Sequence, residues 1–132
     1  VTYTWLDTEI LAVDRSSGQA PPPFRVGDTL LRRPHHQSTV DLVYRKGALT
    51  AFGRLLARGR SLDVEPSFGA FDGLFMNPGH SMVNLGGTLT VMTGLDLFAR
   101  ITNLLDHGYE EVFGFPAPGR GAIIGVQVAT SH

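Results

Sequence analysis

Residues 101–128, ITNLLDHGYEEVFGFPAPGRGAIIGVQV, decide the fold. They read as a β-hairpin whose second strand closes the chain. Leu95, Leu97, Ala99 and Ile101 alternate with Asp96, Phe98, Arg100 and Thr102, so the strand entering the hairpin is apolar on one face with period two. Asn103-Leu104-Leu105-Asp106 opens a connection rich in Gly, Pro and aromatics, Tyr109 to Arg120. Alternation then resumes: Ala122, Ile124, Val126 and Val128 lie on one side, Gly121, Ile123, Gly125 and Gln127 on the other.

Composition narrows the classes. A chain of 132 residues has room for one small domain and a modest core. Its 12 acidic and 11 basic residues nearly cancel, so no field of one sign recommends a nucleic-acid partner. Without cysteine there is neither a disulfide framework nor thiolate chemistry. No run approaches the ~18 consecutive apolar residues of a membrane helix. A membrane strand needs only about 9–11 residues with half of them facing lipid, and hydropathy windows do not see it.

Working back from the hairpin, Thr93-Gly94 is a sharp turn after a strand predicted over Ser81–Met92. In that strand Val83, Leu85, Gly87, Leu89 and Val91 alternate against Asn84, Gly86, Thr88 and Thr90. A strand over Ala48–Leu62 puts Leu49, Ala51, Gly53, Leu55 and Ala57 outward, with Arg54, Arg58 and Arg60 opposite. Lys46-Gly47 turns it from a strand over His36–Arg45, which carries Val40, Leu42 and Tyr44 on one face. The first strand is expected from Val1 to Val13, with Val1, Tyr3 and Trp5 on one face until Asp7 and Glu9 break the pattern. Long connections (14–33, 63–79 and 105–118) thus alternate with short turns (46–47 and 93–94). A soluble up-and-down sheet has no reason to put every long loop at one end, whereas an outer-membrane barrel does.

Two strings carry a resemblance. The hairpin contains N-L-L-D-x-x-Y-E-E-V-x-G-F-x-x-P-G-R, Asn103 to Arg120, and an earlier return reads G-x-x-L-x-R-x-P-x-H, Gly27 to His36. In this order they are similar to the end of a TonB-dependent outer-membrane receptor, most nearly of the vitamin B12 or ferric-siderophore type. The resemblance implies an all-β fold: six antiparallel transmembrane strands forming the C-terminal part of a barrel of roughly 22 strands. It implies a location in the bacterial outer membrane and a piece of a longer protein, residues 1–132 being barrel wall without the plug domain or the earlier strands. The implied function is active uptake of a scarce nutrient. The implied partners are the TonB energy-transducing complex (through the N-terminal part), the barrel-assembly machinery, outer-membrane lipid and a metal-chelate or corrinoid ligand, with no nucleic acid. Lipid would cover the apolar face, while Arg54, Arg58, Arg60, Asp96, Arg100 and Gln127 would face a wet lumen. One feature departs from the family, whose closing strand usually ends on an aromatic residue. Here Val128 runs into Ala129-Thr130-Ser131-His132, so the aromatic handle for assembly is missing.

Chemistry is sparse. There is no nucleophile elbow, phosphate loop or helical pair of His ligands, and no catalytic, cofactor-binding or metal residue is expected. His35, His36, His80 and His107 fall near the loop end without a ligand spacing and read as polar rim residues; His132 ends the chain. Phe68, Phe71, Phe75 and Met76 are the candidates for contacting an apolar, planar ligand, against a competing reading of loop–loop packing. Arg32-Arg33 reads as solvated rim charge, with an anionic ligand or lipopolysaccharide phosphate as the alternative. Two rival classes remain: a soluble β-sheet module that binds carbohydrate or protein, and another outer-membrane barrel such as a porin or adhesin. The first requires Ala122, Ile124 and Val126 to be buried.

Overall fold

The computed structural model describes residues 1–14, 23–64, 73–112 and 114–129, which form strands and no helix. Six strands make one antiparallel meander: β1 (Thr2–Trp5), β2 (His36–Lys46), β3 (Leu49–Arg58), β6 (His80–Met92), β7 (Leu95–Thr102) and β10 (Gly121–Val128), neighbours in that order. Two short hairpins branch from it, β4 (Ser61–Val64) with β5 (Leu74–Asn77), and β8 (Glu110–Val112) with β9 (Phe115–Pro116). Gly47 and Gly94 take φ of 55° and 79° in the turns after β2 and β6, a left-handed backbone that a two-residue hairpin needs.

The register sorts the side chains onto two faces. Val40 sits opposite Leu55, Leu55 opposite Val83, Leu85 opposite Ile101, and Ile101 opposite Ala122. The next rows are Ala51–Gly87–Ala99–Ile124 and Leu49–Leu89–Leu97–Val126. This face is apolar from β1 to β10. Tyr3 and Trp5 share it at the loop end, Tyr44 at the turn end, which is the two-girdle arrangement of a membrane barrel. The other face carries Asp41, Arg45, Arg54, Arg58, Asp96 and Arg100.

No described residue covers the apolar face. Among the described residues Ile10 is the only buried hydrophobic one, while Ile124 is 83% and Val126 59% exposed. A soluble sandwich would bury these side chains against a second layer. The sheet has a single layer, which counts against that rival. Its outer edges, β1 and β10, each lack one neighbour among the described strands.

Phenylalanines on the charged face fill the gaps left by glycines. Phe52 lies opposite Gly86 and Phe98 opposite Gly125, each ring resting where a Cβ would stand. Such aromatic–glycine pairs restore the packing a glycine removes from a strand. Arg100 extends one of them, its guanidinium 5.7 Å from the centre of the Phe52 ring.

Several boundaries differ from expectation. The first strand ends at Trp5 rather than Val13. Beyond it the chain keeps only scattered backbone bonds to the returning segment: Leu6 N–H to His35 O, and reciprocal contacts between Ile10 and residues 27–28. The third strand ends at Arg58 rather than Leu62, because Ser61–Val64 leaves the wall to pair with β5. Arg60, expected to face the lumen, therefore lies between two strands and outside the wall. The connections 63–79 and 105–118 are not structureless, since each contains part or all of a small hairpin. Within β6 the register slips by one residue between Thr90 and Met92.

Candidate functional site

The buried polar residues among those described are Ser61, Asp63, Asn77 and Asn103, and all lie at the loop end of the sheet. Asn103 explains the N-L-L-D string. It ends β7 with φ of 48°, a left-handed conformation that Asn tolerates better than most residues. Its backbone N–H donates to Asn84 Oδ1 at 2.9 Å. The side-chain amide donates to the carbonyls of His107 (3.0 Å) and Pro118 (3.4 Å), while Oδ1 accepts from His107 N–H at 3.0 Å. Asp106, also left-handed with φ of 52°, accepts the Arg120 N–H at 2.7 Å. Both ends of the long connection are thus tied to its first four residues.

Arg32 does the same for the earlier string. With φ of 59° it turns the returning chain, and its N–H donates to Leu62 O at 2.7 Å. Nε donates to Asp63 Oδ1 at 2.8 Å, where the Asp63 side chain is fully buried. Arg58 closes the arrangement by donating to Arg32 O at 2.9 Å. The arginine read as solvated rim charge is instead a structural tie between the first and second loops. Arg33 beside it is exposed.

The third loop leans over the charged face. Asn77 on β5 donates to Glu110 O on β8 at 3.0 Å. The Tyr109 ring stacks on His80, with centres 4.0 Å apart and planes 19° from parallel, and its hydroxyl reaches Met82 Sδ at 3.8 Å. His80 and Met82 belong to the charged face by register, since His80 pairs with Arg58. Tyr109 is therefore held above the mouth of that face. It lines an open hollow of about 510 Å³ together with Glu111, Val112, Phe115, Ala117 and Pro118.

Deeper on the same face, Arg54 Nε donates to Asp41 Oδ1. A second hollow of about 550 Å³ is lined there by Arg45, Phe52, Arg54 and Arg100 among others. The Arg54–Asp41 pair is exposed on both sides and contributes little to stability.

Of the candidates drawn from sequence, Phe68 and Phe71 lie outside the described residues, as does His132. Phe75 and Met76 are consecutive on β5 and so point to opposite faces of it; Met76 is 56% exposed, and neither lines the mouth hollow. The histidines are dispersed: His35 lies 3.9 Å from Asp7, His36 bonds the Tyr3 hydroxyl at 2.8 Å, and His80 stacks on Tyr109. Among the described residues no three His, Asp or Glu side chains converge as a metal set. Tyr109, Glu111 and Phe115, which line the mouth hollow, are not among the candidates drawn from sequence. The signal was the pair of aromatics around Gly114, which passed as part of a family string.

The chain matches no protein-family model and no curated protein sequence. Its fold does match solved structures. One is the ferripyoverdine receptor of the outer membrane of Pseudomonas aeruginosa bound to ferripyoverdine (TM-score 0.65, 19% identity). Another is P. aeruginosa FpvA bound to a heterologous pyoverdine with iron (TM-score 0.65, 18% identity). Each match covers 77% of this chain and 15% of the receptor. The chain thus has the fold of a section of outer-membrane receptor barrel wall, at an identity that speaks for the fold alone. These neighbours stand on the ferric-siderophore side of the resemblance and lend nothing to vitamin B12.

Proposed function

We propose that these residues form the C-terminal wall segment of a TonB-dependent receptor in the bacterial outer membrane, one that takes up a ferric siderophore. The observation that carries the reading is the two-faced, single-layer sheet. It is apolar across all six strands on one side, charged on the other, and every long connection leaves from the same end. Such a sheet is stable only where lipid covers one face and a wet lumen the other. The likeness in fold to the ferripyoverdine receptor supports the ligand class.

On this reading the loop end is extracellular and the turns are periplasmic. The remaining strands of a barrel of roughly 22, and a plug that engages TonB, belong to a longer chain. The proton gradient of the inner membrane supplies the work, and the barrel-assembly machinery inserts the wall. No catalytic step is assigned to these residues, in keeping with receptors as structural neighbours. The mouth hollow at Tyr109 is a candidate contact surface for ligand beside the second-loop residues.

The test is uptake of radioactive iron as ferric siderophore by iron-starved cells with and without the gene for the full-length receptor. Uptake that needs the gene, TonB and the proton gradient is the expected result. Uptake indifferent to all three would overturn the proposal.

A further inference from the structure

We infer that the β4–β5 hairpin is a crosspiece that couples the first long connection to the third, so that order on one side of the mouth governs order on the other. Ser61 pairs with Asn77 and Asp63 with Phe75, which puts these four residues on one face of the hairpin. The polar members of that face are buried: Asp63 is 0% exposed, and Ser61 and Asn77 are 6% each. The opposite face carries Leu62, Val64, Leu74 and Met76, none of them buried. Hydrophobic burial therefore does little to hold this hairpin, and a pair of four-residue strands is marginal by itself in water. Its order rests on the polar ties made from its buried face.

Those ties run to two different connections. On one side Asp63 Oδ1 accepts from Arg32 Nε at 2.8 Å, and Leu62 O accepts from the Arg32 N–H at 2.7 Å. On the other, Asn77 Nδ2 donates to the carbonyls of Glu110 at 3.0 Å and Glu111 at 3.4 Å. The hairpin is a sheet of its own, as is β8–β9, so no wall strand lies between the connections they join. The two sides are not equally firm. The third connection has further anchors, because Tyr109 stacks on His80 and Asn103 holds both His107 and Pro118. Arg32 leans on the hairpin through both its backbone and its side chain, and Arg58, which bonds its carbonyl, stands at the root of the same hairpin. Order thus passes from the third connection through the hairpin to the first. The coupling is reciprocal in free energy, but the better-anchored side shows it least. Anything that steadies the third connection steadies Arg32 without touching it.

The experiment is hydrogen–deuterium exchange of the full-length protein in detergent, read by mass spectrometry on peptides from the loops and the wall strands. Asn77→Ala cuts the tie to the third connection and leaves the Arg32–Asp63 bond in place. It is expected to speed exchange about tenfold or more in residues 27–34 as well as in the hairpin, the scale set by losing a buried hydrogen bond. Asn77→Asp, which keeps the shape and loses the donor, should act alike. Asp63→Ala should free residues 27–34 and the hairpin while 109–117 changes little. The wall strands should exchange as in the unaltered protein throughout. Acceleration confined to residues 74–77 and 109–117 in both Asn77 variants would overturn the inference. If a variant also loses protection in the wall, a urea series on the unaltered protein decides instead. Residues 27–34 and 61–64 should then open with one shared urea dependence, and separate dependences would overturn the coupling. Iron uptake plays no part in this readout, so the result stands apart from the receptor reading.

Discussion

Asn103 and Arg32 show how single residues hold the mouth of this wall together. Each is a non-glycine residue with positive φ, and each carries a side chain that bonds across to another part of the rim. Asn103 is 1% exposed, so Asn103→Ala leaves buried partners unpaired, at a cost of about 1–3 kcal/mol. Alanine adds a left-handed backbone penalty of about 1–2 kcal/mol that glycine avoids. Asn103→Gly should therefore unfold at a higher temperature than Asn103→Ala in the full-length receptor, measured by the loss of heat-modifiable migration in detergent. Equal midpoints for the two would show that the backbone conformation carries no cost. Asp63→Ala should expose the same rim differently, since it removes a carboxylate partner of Arg32 while Arg32 stays half in water. Limited proteolysis should then cut within the first two loops and spare the wall strands.

At the scale of the element, the proposed barrel wall has adjacent residues of one strand meet different solvents. Ile123 and Ile124 lie midway along β10; Ile123 faces Arg100 and Ile124 faces Ala99. Ile124→Arg puts a charge into lipid near mid-depth, which costs about 2–4 kcal/mol. Ile123→Glu puts a carboxylate opposite Arg100 in the wet lumen and should insert normally. Membrane-fraction yield and urea resistance of the two variants decide the matter, and similar behaviour would contradict the assignment of faces. The aromatic–glycine pairs predict coupling of another kind. Gly86→Ala should destabilise by about 1–3 kcal/mol by displacing the Phe52 ring. In a Phe52→Leu background the same change should cost clearly less, and additive costs in the double-mutant cycle would rule out the packing account.

On the barrel-wall reading, the whole set of strands should not stand alone in water. Among the described residues one face is apolar and uncovered, both sheet edges lack a partner, and no second layer buries the apolar side. Expressed without the rest of the barrel, residues 1–132 should aggregate in buffer and regain β-type circular dichroism only with detergent or the upstream chain. A monodisperse β-rich monomer in plain buffer would contradict the barrel-wall reading. The same architecture explains why the buried polar groups sit at the loop end. In a wall one strand thick, only the loops have enough chain above and beside them to exclude water.

The sequence by itself determined the wall. Period-two alternation, tight turns at Gly47 and Gly94, and long connections at one end are local properties, each readable within about ten residues. Tertiary structure decided the rim. No local pattern in Ala48–Leu62 announces that the chain quits the wall after Arg58, because Ser61–Val64 alternates as well as any wall strand. Whether it stays or leaves depends on which strand it pairs with, and that partner, Leu74–Asn77, is supplied by the far side of the loop. The Arg32–Asp63 tie and the Tyr109–His80 stack join residues about thirty positions apart. Such contacts follow from strand register and from where each loop folds back, which a one-dimensional pattern does not encode.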